Sequence, residues 1–281
     1  MILVTGAKGQ LGACLGELLT PRQACFCDVQ ELDITSAAAV ESYVKDKKIT
    51  AIVNCAAYTN VDKAEDEQAA AFAVNALGPE NLAKAAAALN APMVHISTDY
   101  VFSGQSANAL LTEESQTAPL GVYGQSKLAG EEAVKKYASN FIILRTAWLY
   151  SPYGGNFLKT ILRLAAQKPQ ISVVADQIGT PTYAPDLAQI IVKILALGAQ
   201  NKRKAYHFSN EGVCSWYDFA HEIIRQQKLP CKIIPIKTSQ YPAKAKRPFF
   251  SALDKTSIKK DYNIEIRHWT EGVAECLKKL S

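Results

Sequence analysis

Along the 281-residue chain, hydrophobic positions switch repeatedly between two patterns. Short solid apolar runs alternate with longer stretches of alanine and leucine at helical spacing. The solid runs over 1–5, 23–27, 51–55, 93–97 and 141–146 predict buried parallel strands. The stretches between them predict helices. The first closes at 19, and the second starts at Ser36 as N-cap and runs to about 48. A third follows Asp62, expected as its cap with Glu65 three residues on. A fourth is started or kinked by Pro79 and runs to 90, and a fifth covers 123–137. Beyond 150 the alternation loosens. Helices are expected over 154–167, 185–197, 216–227 and 269–280, with strands over 171–174, 206–209 and 233–236. Polar loops fall at 103–121 and 176–182, and the strand over 206–209 is expected to rejoin the first sheet.

Strand–helix alternation of this kind predicts an α/β fold, a doubly wound parallel sheet. The first strand runs into Gly6-Ala-Lys-Gly9-Gln-Leu-Gly12 and then a helix, the context in which a glycine motif holds a dinucleotide. Gly6 permits the tight turn, Gly9 lets backbone approach a pyrophosphate, and Gly12 lets helix pack on strand. The expected class is therefore Rossmann-type. Its dinucleotide-binding domain is 1–150 plus about 183–210, and a smaller C-terminal α/β substrate domain is formed by 151–182 and 211–281.

Composition narrows the field. The chain is 48% hydrophobic and 20% charged, as a soluble globular protein is. No apolar run reaches membrane-spanning length, and the chain opens directly on a strand, without a signal peptide, so a cytoplasmic protein is expected. The net charge of +5 is modest and spread out, so neither nucleic acid nor membrane is expected as a partner. Seven cysteines without a C-x-x-C read as reduced core thiols, and four scattered histidines give no metal-ligand spacing.

The candidate chemistry lies at strand ends. Asp28 closes the second strand, where a Rossmann fold grips the adenosine ribose. An acid there repels a 2′-phosphate and favours NADH; a nearby lysine would offset it and leave NADPH open. Asp33 is read either as an adenine contact or as a cap. Small residues at Ala56-Ala57-Tyr58-Thr59 would let a dinucleotide lie against backbone. Ser97-Thr98-Asp99 is costly to bury unless hydrogen-bonded. Tyr123 and Lys127 share one helical face, a phenol beside an ammonium, suited to general acid–base chemistry. The cation is expected to lower the phenol's pKa from roughly 10. Trp148 and Tyr150 stand where they could stack on a ligand. Basic Lys244-Ala-Lys-Arg247-Pro248 is either a solvated loop or a diphosphate contact.

Taken in order, the glycine turn, Asn54-Cys-Ala-Ala-Tyr-Thr59, Ser97-Thr-Asp-Tyr-Val-Phe102, Tyr123-x-x-x-Lys127 and Arg145-Thr-Ala-Trp148 resemble the extended short-chain dehydrogenase/reductase superfamily. Val61-Asp-Lys-Ala-Glu65, Tyr123-Gly-x-Ser-Lys-Leu-Ala-Gly-Glu131, Gly155-Asn-Phe157, Ala175-Asp-Gln-x-Gly-x-Pro-Thr182 and Ala245-x-Arg-Pro248 narrow the resemblance to the dTDP-4-dehydrorhamnose reductase family. The resemblance implies NADPH- or NADH-dependent reduction of a C4 keto group on a dTDP-sugar, with Mg2+ described for some members but given no ligand cluster here. It implies that Gly6, Gly9, Gln10, Leu11 and Gly12 hold the pyrophosphate and that Asp28, Asp33 and Ile34 sit near the adenosine. Ala56, Ala57, Tyr58 and Ile96 would line the cofactor path. Tyr123 would be the proton donor, Lys127 the ribose holder, and Thr98 the partner of the reacting carbonyl. Asp99, Trp148, Asn156 and Arg247 complete the implied substrate set. Position 100 is Tyr where the related dehydratases carry Glu, and no Cys–His pair of an epimerase-reductase is evident, so plain reduction is favoured. Alternatives are another sugar-nucleotide oxidoreductase or 4-epimerase, and a non-catalytic subunit like the regulatory subunit of methionine adenosyltransferase. A monomer or homodimer is expected.

Overall fold

The computed structural model describes residues 1–104, 109–199 and 202–280; positions 105–108 of the expected polar loop lie outside the described residues. The five solid apolar runs form β1 (Ile2–Thr5), β2 (Ala24–Cys27), β3 (Ala51–Asn54), β4 (Met93–Thr98) and β5 (Phe141–Thr146). With the strand Arg203–His207 they build one six-stranded parallel sheet in the order Arg203–His207, β5, β4, β3, β1, β2. The last strand does rejoin the sheet, but it starts earlier than the apolar run at 206. Its first two residues, Arg203 and Lys204, are exposed at the sheet edge, where burial imposes no apolar pattern.

Helices cover both faces because the sheet is apolar on both. On one face α1 (Gln10–Leu18) and the helix Ala184–Leu197 bury Leu11, Leu15, Leu187 and Ile191 against Val4, Val53 and Ile142. On the other face, Val40 of α2 (Ala37–Lys45), Leu82 and Val134 meet Leu3, Ile52 and Ile143. The Ser36 side chain caps α2 as expected, at 3.3 Å from Ala39 N–H, and α2 ends at Lys45.

Two local expectations change. Asn60, not Asp62, caps α3 (Val61–Ala64); its side chain accepts the Lys63 N–H, while Asp62 sits one residue inside the helix and reaches Arg247. Glu65 instead accepts the Val122 N–H at the start of the catalytic-candidate helix. The helix expected from Pro79 is the last part of a longer one: α4 (Gln68–Phe72), a π-helical turn over Ala73–Leu77, then α5 (Gly78–Ala88). α6 (Val122–Tyr137) follows and carries Tyr123 and Lys127.

The later part of the chain builds a further core from Leu158, Ile161, Phe219, Ile223, Val273 and Leu277. Its helices include Phe157–Ala165, Trp216–Gln227 and Trp269–Leu280, and its strands Gln170–Val174 and Lys232–Ile236 pair in parallel. Tyr150 belongs to this core, fully buried, with its hydroxyl donated to Trp269 O at 3.2 Å. It is therefore no ligand platform. All seven cysteines are free, five of them buried. No helix among the described residues is long and apolar enough to cross a membrane.

Candidate active site

β1 runs to α2 by way of β2 on one side and is flanked by β3 on the other, so the strand order reverses between β1 and β3. In open α/β sheets the crevice at that switch point is where ligands bind. Asn54, fully buried at the end of β3, fixes it. Its Oδ1 accepts the Thr5 hydroxyl at 2.7 Å and the Ala56 N–H at 3.1 Å, and its Nδ2 meets His95 Nδ1 at 3.0 Å. The ends of β1 and β3 are thereby tied to each other and to the middle of β4. A cleft of about 710 Å3 opens above them, within the range of small-molecule and cofactor sites.

At one end the glycine turn forms a cradle. Gly6 has φ +70°, and a Cβ there would stand 2.6 Å from Ala56 N; a Cβ on Gly12 would stand 2.3 Å from Gly6 O. Both positions therefore need glycine. Gly9 is the N-cap of α1 and offers no capping side chain, and the first turn carries no acid. The free N–H groups and the positive end of the helix dipole face the cleft, as a pyrophosphate requires. Among the described residues, Gly9, Gln10, Leu11 and Gly12 line it, so the donor set fits a dinucleotide.

Asp28 and Asp33 line the same end. Asp28 Oδ2 accepts the Lys8 N–H at 3.0 Å and Oδ1 the Val29 N–H at 2.9 Å. The Lys8 ammonium goes to Gln30 Oε1 at 3.1 Å. Asp33 closes a turn, accepting the Thr35 N–H at 2.9 Å and hydroxyl at 2.7 Å. Ile34, Ala56, Ala57 and Ile96 line the wall. Tyr58 does not; its N–H goes to Asn75 and its hydroxyl to Glu67 at 2.7 Å.

At the other end stand Thr98, Asp99, Tyr123 and Lys127. Lys127 is buried and donates to Ile96 O at 2.6 Å; burial pulls its ammonium down to about 8, against the pull of Glu131 upward. Tyr123 corrects the expectation of a depressed phenol. Burial pushes it up to about 12, the Asp99 charge adds to the rise, and the Thr98 hydroxyl facing it works the other way. The four-residue spacing puts Tyr123 and Lys127 on one face of α6, but the ammonium goes to Ile96 O on β4.

α6 is held by two buried devices that sequence spacing did not reveal. The carboxylate of Glu131 takes a paired contact from Arg145, at 2.9 Å from Nε and 2.8 Å from Nη2, plus the Ser97 hydroxyl at 2.5 Å. Asn75, in the π turn, accepts the Tyr58 N–H at 2.8 Å and donates to Tyr58 O and to Ser126 Oγ, each at 3.0 Å.

Trp148 lines the cleft with a left-handed backbone, φ +48°. One indole face is covered by Trp216, with centroids 3.6 Å apart and planes 11° apart. Trp216 also lines the cleft; it is the first residue of a helix capped by Ser215, and nothing in the local sequence marks it as a site residue. Asn156 caps the helix Phe157–Ala165 and donates to Gln10 Oε1 at 2.9 Å, linking the glycine turn to the later chain. Arg247 lies off the cleft, on Asp62 at 2.6 Å, and Lys244 pairs with Asp66. The basic loop therefore meets one carboxylate on α3, Asp62, and one in the turn that follows it, Asp66. Among the described residues no cluster of three or more metal-ligating His, Cys, Asp or Glu side chains occurs.

A parallel sheet with a glycine cradle at its switch point, and Thr98, Tyr123 and Lys127 across the same cleft, defines a Rossmann-type short-chain dehydrogenase/reductase. The chain belongs to the RmlD substrate binding domain family, whose model matches residues 1–281. It is 42% identical to a dTDP-4-dehydrorhamnose reductase of Aggregatibacter actinomycetemcomitans, over 97% of this chain and 96% of that one. A dTDP-4-dehydrorhamnose reductase structure from Clostridium acetobutylicum superposes with a TM-score of 0.95 at 40% identity, covering 99% of both chains. One from Bacillus anthracis, in complex with NADP, does so at 0.94 and 39% identity, covering 99% of this chain and 98% of that one.

Proposed function

We propose that the protein reduces the C4 keto group of dTDP-4-dehydro-β-L-rhamnose to give dTDP-β-L-rhamnose, the final step of dTDP-rhamnose synthesis. The observation that carries this is the meeting of Thr98, Tyr123 and Lys127 in one cleft with an uncapped glycine cradle. Full-length identity to named reductases supports the particular substrate. When bound, a reduced nicotinamide cofactor, NADPH or NADH, supplies the hydride to C4.

The protein's own residues do the rest. Gly6, Gly9 and Gly12 leave room for the pyrophosphate, and α1 aims its first N–H groups at it. Lys127, whose ammonium is fixed on Ile96 O of β4, would hold the nicotinamide ribose. Thr98 and Tyr123 hold the C4 oxygen between two hydroxyls, so the carbonyl is polarised before reaction. Tyr123 then gives its proton to that oxygen. Burial makes it a weak acid, but a phenol remains more acidic than the sugar alcohol being formed, so the transfer runs downhill. Trp148, stacked on Trp216 and lining the cleft, would pack on the sugar nucleotide, between the sheet unit and the substrate unit formed by 151–182 and 211–281.

Lys8, whose backbone N–H binds Asp28 and whose ammonium is on Gln30, supports NADPH, since that ammonium turned to a 2′-phosphate would offset the carboxylate's repulsion. The test is to follow nicotinamide absorbance on adding fresh dTDP-4-dehydro-L-rhamnose with NADPH and NADH in turn. Stoichiometric oxidation with dTDP-rhamnose as product is expected. Folded, cofactor-binding protein that oxidises neither would overturn the reading in favour of another sugar nucleotide or a non-catalytic role.

A further inference from the structure

β2 carries two thiols at alternate positions, Cys25 and Cys27. Residues two apart in a strand point to one face, and both thiols join the core under α2. Cys27 is buried, and its thiol donates to the Tyr43 hydroxyl of α2 at 2.8 Å. Cys25 is only partly buried, and its thiol donates to Ile2 O at 3.5 Å. The Lys47 ammonium stands 3.6 Å from the centre of the Tyr43 ring and donates to Tyr43 O at 2.9 Å. Two thiols, a phenol and an ammonium are thus gathered outside the cleft, and the reduction uses none of them. A partly exposed thiol near a cation is the reactive kind. Cys27 holds the Cys25 thiol below the range of a free thiol; Tyr43 and Lys47 pull the same way, and burial opposes them.

The pair reaches the cofactor end of the cleft through backbone. Cys27 O accepts the Ala7 N–H of the glycine turn at 3.1 Å, and the next residue, Asp28, accepts the Lys8 N–H at 3.0 Å. β2 stands last in the sheet order, beside β1, so it has room to bend.

We propose that Cys25 and Cys27 are a peroxide-sensitive pair whose oxidation to a disulfide loosens the glycine turn and weakens dinucleotide binding. The inference rests on the cofactor reading above. The Cys25 thiolate attacks one oxygen of hydrogen peroxide. The O–O bond breaks, hydroxide leaves, and Cys25 becomes a sulfenic acid. The Cys27 sulfur then attacks the Cys25 sulfur. The S–O bond breaks as the S–S bond forms, and the oxygen leaves as a second hydroxide. The two thiol protons turn both hydroxides into water. Two electrons pass from the sulfurs to the peroxide, and a dithiol reductant returns them. Two residues of strand span about 6.6 Å, at the upper end of the roughly 4.4–6.8 Å between Cα atoms that a disulfide bridges. Closing the bond therefore shortens β2 and draws Cys27 O away from Ala7. A strained disulfide is readily reduced, as a reversible signal requires.

The experiment exposes wild type, Cys25→Ser and Cys27→Ser to hydrogen peroxide and blocks the remaining thiols. Peptide masses and NADPH affinity, by fluorescence titration, are then measured. In the wild type the peptide holding both cysteines is expected to lose two hydrogens and take up no blocking group. NADPH affinity should fall about tenfold, and dithiothreitol should restore it. Cys25→Ser should keep its affinity through the same treatment. Cys27→Ser should stop at a Cys25 sulfenic acid, trapped by dimedone. Both thiols still reduced, a disulfide without loss of affinity, or an equal loss in Cys25→Ser would each overturn the proposal; the last would point to Cys55 in the cleft wall. Should the variants not fold, the wild-type masses and affinities decide by themselves. Reduced wild type that binds no NADPH would sink the cofactor reading, whereas the peptide masses judge the thiol pair separately.

Discussion

Tyr123 and Lys127 act on one another less through charge than through shared confinement. Burial raises the phenol to about 12 and lowers the ammonium to about 8. Both shifts favour the neutral forms, as desolvation must. Removing the phenol oxygen should therefore remove a proton donor and little else. Tyr123→Phe is expected to lower turnover by about 100- to 10,000-fold while NADPH affinity, read by fluorescence titration, stays close to wild type. Retained turnover would sink its role. Lys127 carries a stability cost. Its folded pKa lies below that of a free lysine, so the unfolded chain binds more protons between about 8 and 10.5. That cost is full below pH 8, on the order of 3 kcal/mol, and fades as pH rises toward the unfolded value. Lys127→Met should thus melt higher than wild type at pH 7, by a margin that shrinks by pH 10, while losing activity. A lower melting temperature at pH 7 would refute the cost. The pairing of these residues is readable from their four-residue spacing. The direction of the phenol's shift is not, because it depends on burial and on where the Lys127 nitrogen points.

At the scale of elements, α6 is aimed by what it leans on. Glu131 and Arg145 form a buried pair behind it, and Asn75 reaches it from the π turn. A π turn inserts an extra residue into helical spacing and often marks a functional position. Here it turns Asn75 toward the Ala57–Tyr58 backbone, which borders the cleft, and toward Ser126, one residue before Lys127. Asn75→Ala would leave the part-buried Tyr58 N–H without its partner and remove the buried contact to Ser126. A loss of about 2–3 kcal/mol is expected in urea unfolding, together with reduced turnover. Stability within a few tenths of wild type would show that the turn is not needed. The five leading strands were legible because burial on both faces makes their runs solidly apolar. The π turn was not, because the one break the sequence offers in this stretch is Pro79, just past the turn, and nothing in 73–77 marks the added residue. The strand Arg203–His207 was half legible for the opposite reason, since its edge position leaves its start polar.

In the whole molecule, distant stretches of chain close around the cleft from two sides. On one side Gln10 of the glycine turn binds Leu149 O at 3.3 Å and receives Ser151 and Asn156. On the other, the segment after the strand Lys232–Ile236 crosses back to α3. There Asp62 accepts the N–H groups of Lys244 and Ala245 and the guanidinium of Arg247, and Lys244 pairs with Asp66. Single exposed ion pairs hold little, but Asp62 gathers backbone and side-chain donors at one carboxylate. Such a latch orders a segment without adding much to global stability. Partial burial raises the Asp62 carboxyl, but the contacts from Arg247 and the two N–H groups more than reverse this and hold it below its usual range. A depressed folded pKa means the latch is present above the ordinary carboxylate value of about 4 and is lost as pH falls below it. Amide hydrogen exchange over 241–250, corrected for intrinsic rates, should therefore show steady protection from pH 7 to 5 in the wild type and a fall only below about 4. Asp62→Ala should be open across that whole range, with a melting temperature near wild type and a raised KM for the sugar nucleotide. Protection in the variant equal to that of the wild type would mean that the segment is held by its packing on Gly104 and Ile178, where Phe250 pairs with the neighbouring backbone, and that Asp62 is incidental.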